Sequence, residues 1–217
     1  MNTLADTISV TLIMTGFLLL GSSRIRACIR FVALQGIVLA LLTLIPPDGR
    51  VSPATAMLAL TTAAVKGFML PWLLLRALRD ADIRREVEPL VSYNLSILAG
   101  CLTLAISLWL SDRLPAPGQS AGFLLVPSAI FTSLNGLFLL VSRRTALTQV
   151  IGYLALENGI YEFGAGVVHG ASMFIELGVL LDLLVAVFVM GIALFHINRQ
   201  FDSIDTGRLA SLHDWTR

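Results

Sequence analysis

The chain has 217 residues, of which 56% are hydrophobic and only 13% charged. Soluble domains carry about 25% charged residues, and one core of this size could not hide so much apolar surface, so a soluble globular fold is excluded and a membrane protein is expected. The formal net charge of +1 points to no acidic or basic partner, and nucleic acid is not expected among the partners.

A bilayer core about 30 Å thick needs about 20 apolar residues of helix. Seven stretches meet that need, so the predicted fold is an all-α integral membrane protein of about seven transmembrane helices. They cover residues 5–20, 29–45, 54–78, 91–110, 121–141, 147–168 and 172–198. The second is closed by Pro46-Pro47, and the sixth is the least apolar because it holds Glu157, Asn158 and Glu162. Met1 onward runs straight into the first span without a basic leader, so no cleaved signal peptide is expected.

The connections separate by charge. Arg24, Arg26 and Arg30, then Arg76, Arg79, Arg84 and Arg85, then Arg143 and Arg144, then Arg199 and Arg208 fall on one side. The other side has only Arg50 and Arg113. The positive-inside rule predicts an outside N-terminus and a cytoplasmic C-terminus, in a multi-pass protein of the cell inner (cytoplasmic) membrane. The loop 79–90 alternates charge and suits a short surface helix. Cys28 and Cys101 lie in separate apolar segments without a neighbouring His, so neither a metal site nor a disulfide is expected.

Helices two and six share a pattern, Val32-Ala33-Leu34-Gln35-Gly36 against Ala155-Leu156-Glu157-Asn158-Gly159. Helix three runs from Lys66 to Arg76 and Asp80, and helix seven from Asp182 to His196 and Arg199. This suggests two parallel three-helix units, residues 1–90 and 120–199, joined by helix four within 91–119 and followed by a tail at 200–217.

An ionised side chain at the bilayer centre costs about 2.5–3.5 kcal/mol on the mildest scale, so such residues face protein, water or a partner. Lys66, Glu157 and Asp182 fall near the midpoints of helices three, six and seven, at a common depth. Glu162 and Glu176 form a second acidic level nearer the outer face, with His169 in the loop above. Chains of carboxylates with a tuning lysine suit a proton relay. The same residues also suit a static salt bridge that pins the helices; His169 suits a solvated loop residue. Pro71 removes the donor that Gly67 would accept from, so a kink is expected beside Lys66. Pro127 predicts a similar kink in helix five, near Ser128, Thr132 and Ser133. Gly152, Gly159, Gly164, Gly166, Gly178 and Gly191 permit close helix approach.

The segment Val150-Ile151-Gly152-Tyr153-Leu154-Ala155-Leu156-Glu157-Asn158-Gly159, with Ile175-Glu176-Leu177-Gly178 and Asp182, resembles hydrogenase-4 component E, a membrane subunit of formate hydrogenlyase-type complexes. The Val65-Lys66-Gly67-Phe68-Met69-Leu70-Pro71 and Leu209-Ala210-Ser211-Leu212 segments fit as well. The last three helices are similar to the complex I K-type subunit and to the C-type subunit of multisubunit sodium/proton antiporters. Those proteins carry a membrane glutamate on each of their last two helices, which Glu157 and Asp182 match here. The first acid lies about one turn later than in those subunits, a displacement of about 5.4 Å, and the second is Asp in place of Glu.

The resemblance implies a non-redox membrane-arm subunit of a complex-I-like group 4 nickel–iron hydrogenase. Such a subunit has no active site and no cofactor of its own. Implied partners are antiporter-like large membrane subunits, a quinone-module-like membrane subunit, lipid, and, indirectly, soluble hydrogenase subunits. Lys66, Glu157, Asp182, Glu176 and Glu162 are the implied relay. A scaffold subunit, part of a cation/proton antiporter-like assembly, and an independent transporter are the alternatives.

Overall fold

In the computed structural model, residues 2–44, 53–80, 90–114, 123–167 and 185 are described. The elements are all helical: α1 (Asn2–Gly21), α2 (Ile25–Thr43), α3 (Pro53–Thr62), a π-helical stretch (Ala63–Met69), α4 (Leu70–Asp80), α5 (Tyr93–Ser111), α6 (Leu125–Ser142) and α7 (Ala146–Val167). Among the described residues, five spans are long and apolar enough to cross a membrane: Thr3–Gly21, Ile25–Thr43, Thr55–Arg79, Tyr93–Ser111 and Leu125–Ser142. The third joins α3, the π stretch and α4. At 22 residues, α7 would run about 33 Å, but it carries two acidic residues and packs along α6 inside the bundle. The expected seventh helix, residues 172–198, lies outside the described residues apart from Val185, which joins the apolar core.

Short connections force neighbours antiparallel. Between α1 and α2 only residues 22–24 intervene, and extended backbone at Arg24 (φ −90°, ψ 108°) turns the chain. Arg143 breaks α6 in the same way (φ −103°, ψ 143°), and the Thr148 and Gln149 amides restart α7 on the Thr145 carbonyl. The two turns meet: Arg143 Nη2 donates to the Leu20 carbonyl at 2.9 Å, and its guanidinium lies 4.7 Å from the Tyr93 ring. Leu90 N–H also donates to the Ser142 carbonyl at 3.1 Å. One end of the bundle thus gathers Arg24, Arg26, Arg30, Arg76, Arg79 and Arg144, all exposed, around the buried Arg143.

Helix α1 carries Thr7, Thr11 and Thr15 among its apolar residues. Each hydroxyl donates back to the carbonyl four residues earlier, at 2.7–2.9 Å. Such back-bonding satisfies the hydroxyl within its own helix.

Helices α6 and α7 pack backbone to backbone. A Cβ on Gly136 would overlap the Leu156 amide; one on Gly152 would lie 2.6 Å from Leu140 N; one on Gly159 would overlap Ser133. Close approach was expected of Gly152 and Gly159, and Gly136 completes the seam from the α6 side. Helix α5 sits at the edge, touching α1 and α6 and exposing Leu95, Leu98, Leu102, Ile106 and Trp109. Trp109 with Arg113 at 4.5 Å and Trp72 with Arg76 at 5.7 Å are amphipathic anchors of the kind found at membrane–water boundaries.

The two proline expectations part company. The interruption next to Lys66 takes the form of a seven-residue π stretch, in which Leu70 N–H reaches back to the Val65 carbonyl. Pro71 follows directly, where a missing N–H coincides with a ladder already widened to five-residue spacing. Pro127, by contrast, gives no kink. Helix α6 starts at Leu125, which puts Pro127 in the first turn, where its N–H would have no intrahelical partner anyway.

Candidate functional site: a polar layer between two apolar cores

The described residues form two apolar clusters. One, toward the basic end, includes Leu19, Ile29, Val32, Leu70, Leu139, Val150 and Leu154. The other, toward the base-poor end, includes Leu12, Val38, Leu39, Leu42, Leu125 and Tyr161. On α1 the chain passes from Leu12 to Leu19 across Thr15; on α2 from Val32 to Val38 across Gln35; on α7 from Leu154 to Tyr161 across Glu157 and Asn158. The residues between the clusters are polar and buried.

They are also joined. Lys66 Nζ donates to Glu157 Oε1 at 2.5 Å and to Asn158 Oδ1 at 3.3 Å. Asn158 Nδ2 donates to Gln35 Oε1 at 3.4 Å, and Gln35 Nε2 donates to Thr15 Oγ1 at 3.1 Å. Thr15 in turn donates to the carbonyls of Thr11 and Leu12. The chain of contacts crosses the π stretch, α7, α2 and α1. Lys66 is 5% and Glu157 2% exposed, so this ion pair is screened little by water or salt. The Tyr161 ring, 5.1 Å from Nζ, gives the ammonium a further favourable contact. All three groups that meet the lysine come from one face of α7.

Gly36 makes the layer possible from the α2 side. A Cβ there would lie 2.6 Å from Lys66 Cβ and 3.1 Å from the Lys66 carbonyl oxygen. Only glycine lets the π stretch come so near. A polar layer of this kind is sensitive to single deletions: Gln35→Leu strands the Asn158 amide N–H, while the Thr15 hydroxyl keeps its own helix carbonyls. A buried group left unsatisfied costs about 1–3 kcal/mol. The expected result is a fall in thermal stability of that order in detergent, with a smaller fall for the control Thr7→Val at the exposed end of α1.

Of the expected relay residues, the structure brings Lys66 and Glu157 together. Glu162 is fully buried but turns elsewhere. Five residues along α7 rotate it by about 140° from Glu157 at 100° per residue, and it meets Ser128 of α6, whose hydroxyl lies against Glu162 Oε1. Asp182, Glu176 and His169 lie outside the described residues. Gln35, Asn158 and Thr15 complete the layer without having been singled out as site residues. Their signal in the sequence is the presence of amides inside otherwise apolar spans. Among the described residues no cluster of three or more His, Cys, Asp or Glu side chains is placed to hold a metal.

No family model matches the sequence, and no solved structure matches it. Hydrogenase-4 component E of Escherichia coli is 34% identical over 79 residues, 36% of this chain and 37% of that protein. The protein of the same name from Shigella flexneri matches to the same extent. This likeness is local. The uncharacterized protein Rv0085 of Mycobacterium tuberculosis is 31% identical over 214 residues, 97% of this chain and 96% of the relative. Near end-to-end likeness at this level marks common descent, and the chain belongs to the family of the uncharacterized protein Rv0085.

Proposed function

We propose that the chain is a non-redox membrane-arm subunit of a complex-I-like, hydrogenase-type assembly, and that its polar layer passes protons in the plane of the membrane. The observation that carries this reading is the Lys66–Glu157 pair, held at 2.5 Å and nearly out of contact with solvent. It is continued by Asn158 on the same helix as Glu157, and by Gln35 and Thr15 across two further helices. Intramembrane charges are kept at a cost, and chains of them mark ion and proton paths. The lysine and the carboxylate stand in direct hydrogen-bond contact, the geometry that proton transfer between two groups requires. The local likeness to hydrogenase-4 component E supports the assembly. Asp182, which lies outside the described residues, is proposed as a further member of the relay from its place in the sequence alone. Antiporter-like and quinone-module-like membrane subunits are the proposed neighbours, in the cell inner membrane.

Replacing Glu157 with Gln keeps the shape and removes the ionisable group. In membrane vesicles driven by formate or hydrogen, the variant is expected to assemble and to lose proton movement. Unchanged proton movement with intact assembly would leave only the second reading, in which the pair is a static lock between α7 and the π stretch. That reading draws on the same short contact, since a buried ion pair can fix register without moving charge.

A further inference from the structure

The polar layer does not end at Thr15. On α6, Ser128, Thr132 and Asn135 stand at successive turns of one face, 0%, 1% and 2% exposed. Asn135 belongs to the depth of the layer: its Nδ2 would lie 3.1 Å from a Cβ on Gly16, the neighbour of Thr15. Its Oδ1 accepts from Thr103 of α5 at 3.1 Å. Ser128 belongs to the depth of Glu162. The seven residues between them span about 10 Å of helix, running from the layer toward the base-poor end, where α6 begins at Leu125.

Helix α1 runs parallel to α6 and supplies a further hydroxyl. Asp6 Oδ1 accepts from Leu124 N–H at 3.2 Å, Gly16 faces Phe131 and Asn135, and Leu20 faces Arg143. Interpolation between these contacts puts Ser9, fully buried, level with Ser128. Along this column four buried polar atoms have no hydrogen-bond partner among the described residues: Ser9 Oγ, Thr132 Oγ1, Asn135 Nδ2 and Glu162 Oε2. Buried polar atoms are almost always satisfied, and a buried water requires two to four polar partners.

The proton count at Ser128 adds to this. Its hydroxyl carries one hydrogen, yet two acceptors lie in reach, Glu162 Oε1 and the Leu125 carbonyl at 3.0 Å. The serine hydrogen can be shared between the two acceptors in a three-centre bond, or it can go to the Leu125 carbonyl while a protonated carboxyl group donates to Ser128 Oγ. The pair therefore has two hydrogen-bonding states that differ by one proton on Glu162.

We infer that Ser9, Ser128, Thr132, Asn135 and Glu162 line a water-filled half-channel that leads from the base-poor end of the bundle to the Lys66–Glu157 layer. Glu162 takes a proton from a hydronium ion of that column, leaving water, and returns it to the next water inward. Two or three waters at hydrogen-bond spacings of about 2.8 Å would link the polar atoms along the roughly 10 Å of helix from Ser128 to Asn135. This inference rests on the proton-relay reading for its direction of use, but the water itself does not.

Two measurements test it. A density map of the full-length protein in lipid, at a resolution that shows waters, is expected to place one against each of Ser9 Oγ, Thr132 Oγ1 and Glu162 Oε2. A dry column, with those atoms bonded to protein, overturns the inference whatever Glu157 does. In driven vesicles, Thr132→Val, which keeps the volume and removes the hydroxyl, is expected to slow proton movement at least tenfold, and Thr132→Ser to restore it. A Thr132→Val protein that moves protons at the parental rate while Glu157→Gln abolishes movement rejects the half-channel and retains the relay. Waters in the map, with Glu157→Gln still active, keep the column and reject the relay.

Discussion

Gly136→Ala is expected to pull α6 and α7 apart and to lower the thermal stability of the bundle far more than Gly100→Ala. The added methyl would overlap the Leu156 amide nitrogen and lie 2.7 Å from the Gly152 carbonyl oxygen. Both obstacles are backbone, so no side chain can swing away. Overpacking of this kind costs about 1–3 kcal/mol and more where relief needs a helix shift. Gly100→Ala is the control. Its methyl would meet Leu20 Cδ1 at 2.5 Å and the Phe17 ring at 3.0 Å, and those are the ends of side chains that can rotate. Melting curves of the two purified variants in one detergent, followed by loss of the monodisperse species, give the comparison. A Gly136→Ala protein that melts with the parent would mean that the seam between α6 and α7 has slack these distances deny.

The second large effect concerns the Lys66–Glu157 pair. Removing one partner from a buried ion pair leaves the other charge in an apolar surround, at a cost of about 3–5 kcal/mol. Lys66→Met is therefore expected to destabilise the protein severely, because Glu157 then keeps only part of its shell. Replacing both partners, Lys66→Met with Glu157→Met, removes the stranded charge, and buried pairs exchanged for apolar residues of similar volume are often neutral in stability. The double variant is expected to recover most of the lost melting temperature and none of the proton movement. That combination separates the two roles of the pair, since a lock that only holds helices would be replaced adequately by two methionines. Recovery of both stability and proton movement would reject the relay.

Much of this was legible in the sequence, for reasons that differ from residue to residue. Lys66 and Glu157 stand out because a charge in an apolar span is expensive, and the midpoints of their spans give a common depth; the observed contact follows from that. The helices themselves follow from long apolar runs, except where the run is diluted. Helix α7 reads poorly as a span because Glu157, Asn158 and Glu162 lower its hydropathy, and those three are the residues that turn inward. Serine and threonine give almost no signal. Their hydroxyls can bond to their own helix, as Thr7 and Thr11 do, so Thr15, Ser128 and Thr132 look no different from them until neighbours are placed. Sequence spacing set Glu162 on a second acidic level nearer the outer face than Glu157, and five residues of rotation also give the two different partners. The π stretch has no periodic signature at all, because a single widened turn leaves the apolar pattern on either side of it unchanged.

That stretch gives the third span a property that straight helices lack. A widened turn is a unit of slack in the ladder, and moving it along by one position turns one residue by about 100° while the helices on either side stay where they are. Lys66 sits inside it. An ammonium group bound to Glu157 and Asn158 on one helix can thus be swung toward a different acceptor by a rearrangement confined to about two turns of backbone. No sliding of α3 or α4 through their packed surroundings is required. The third span thus keeps regular helix on either side and places its one irregular stretch at the charged residue.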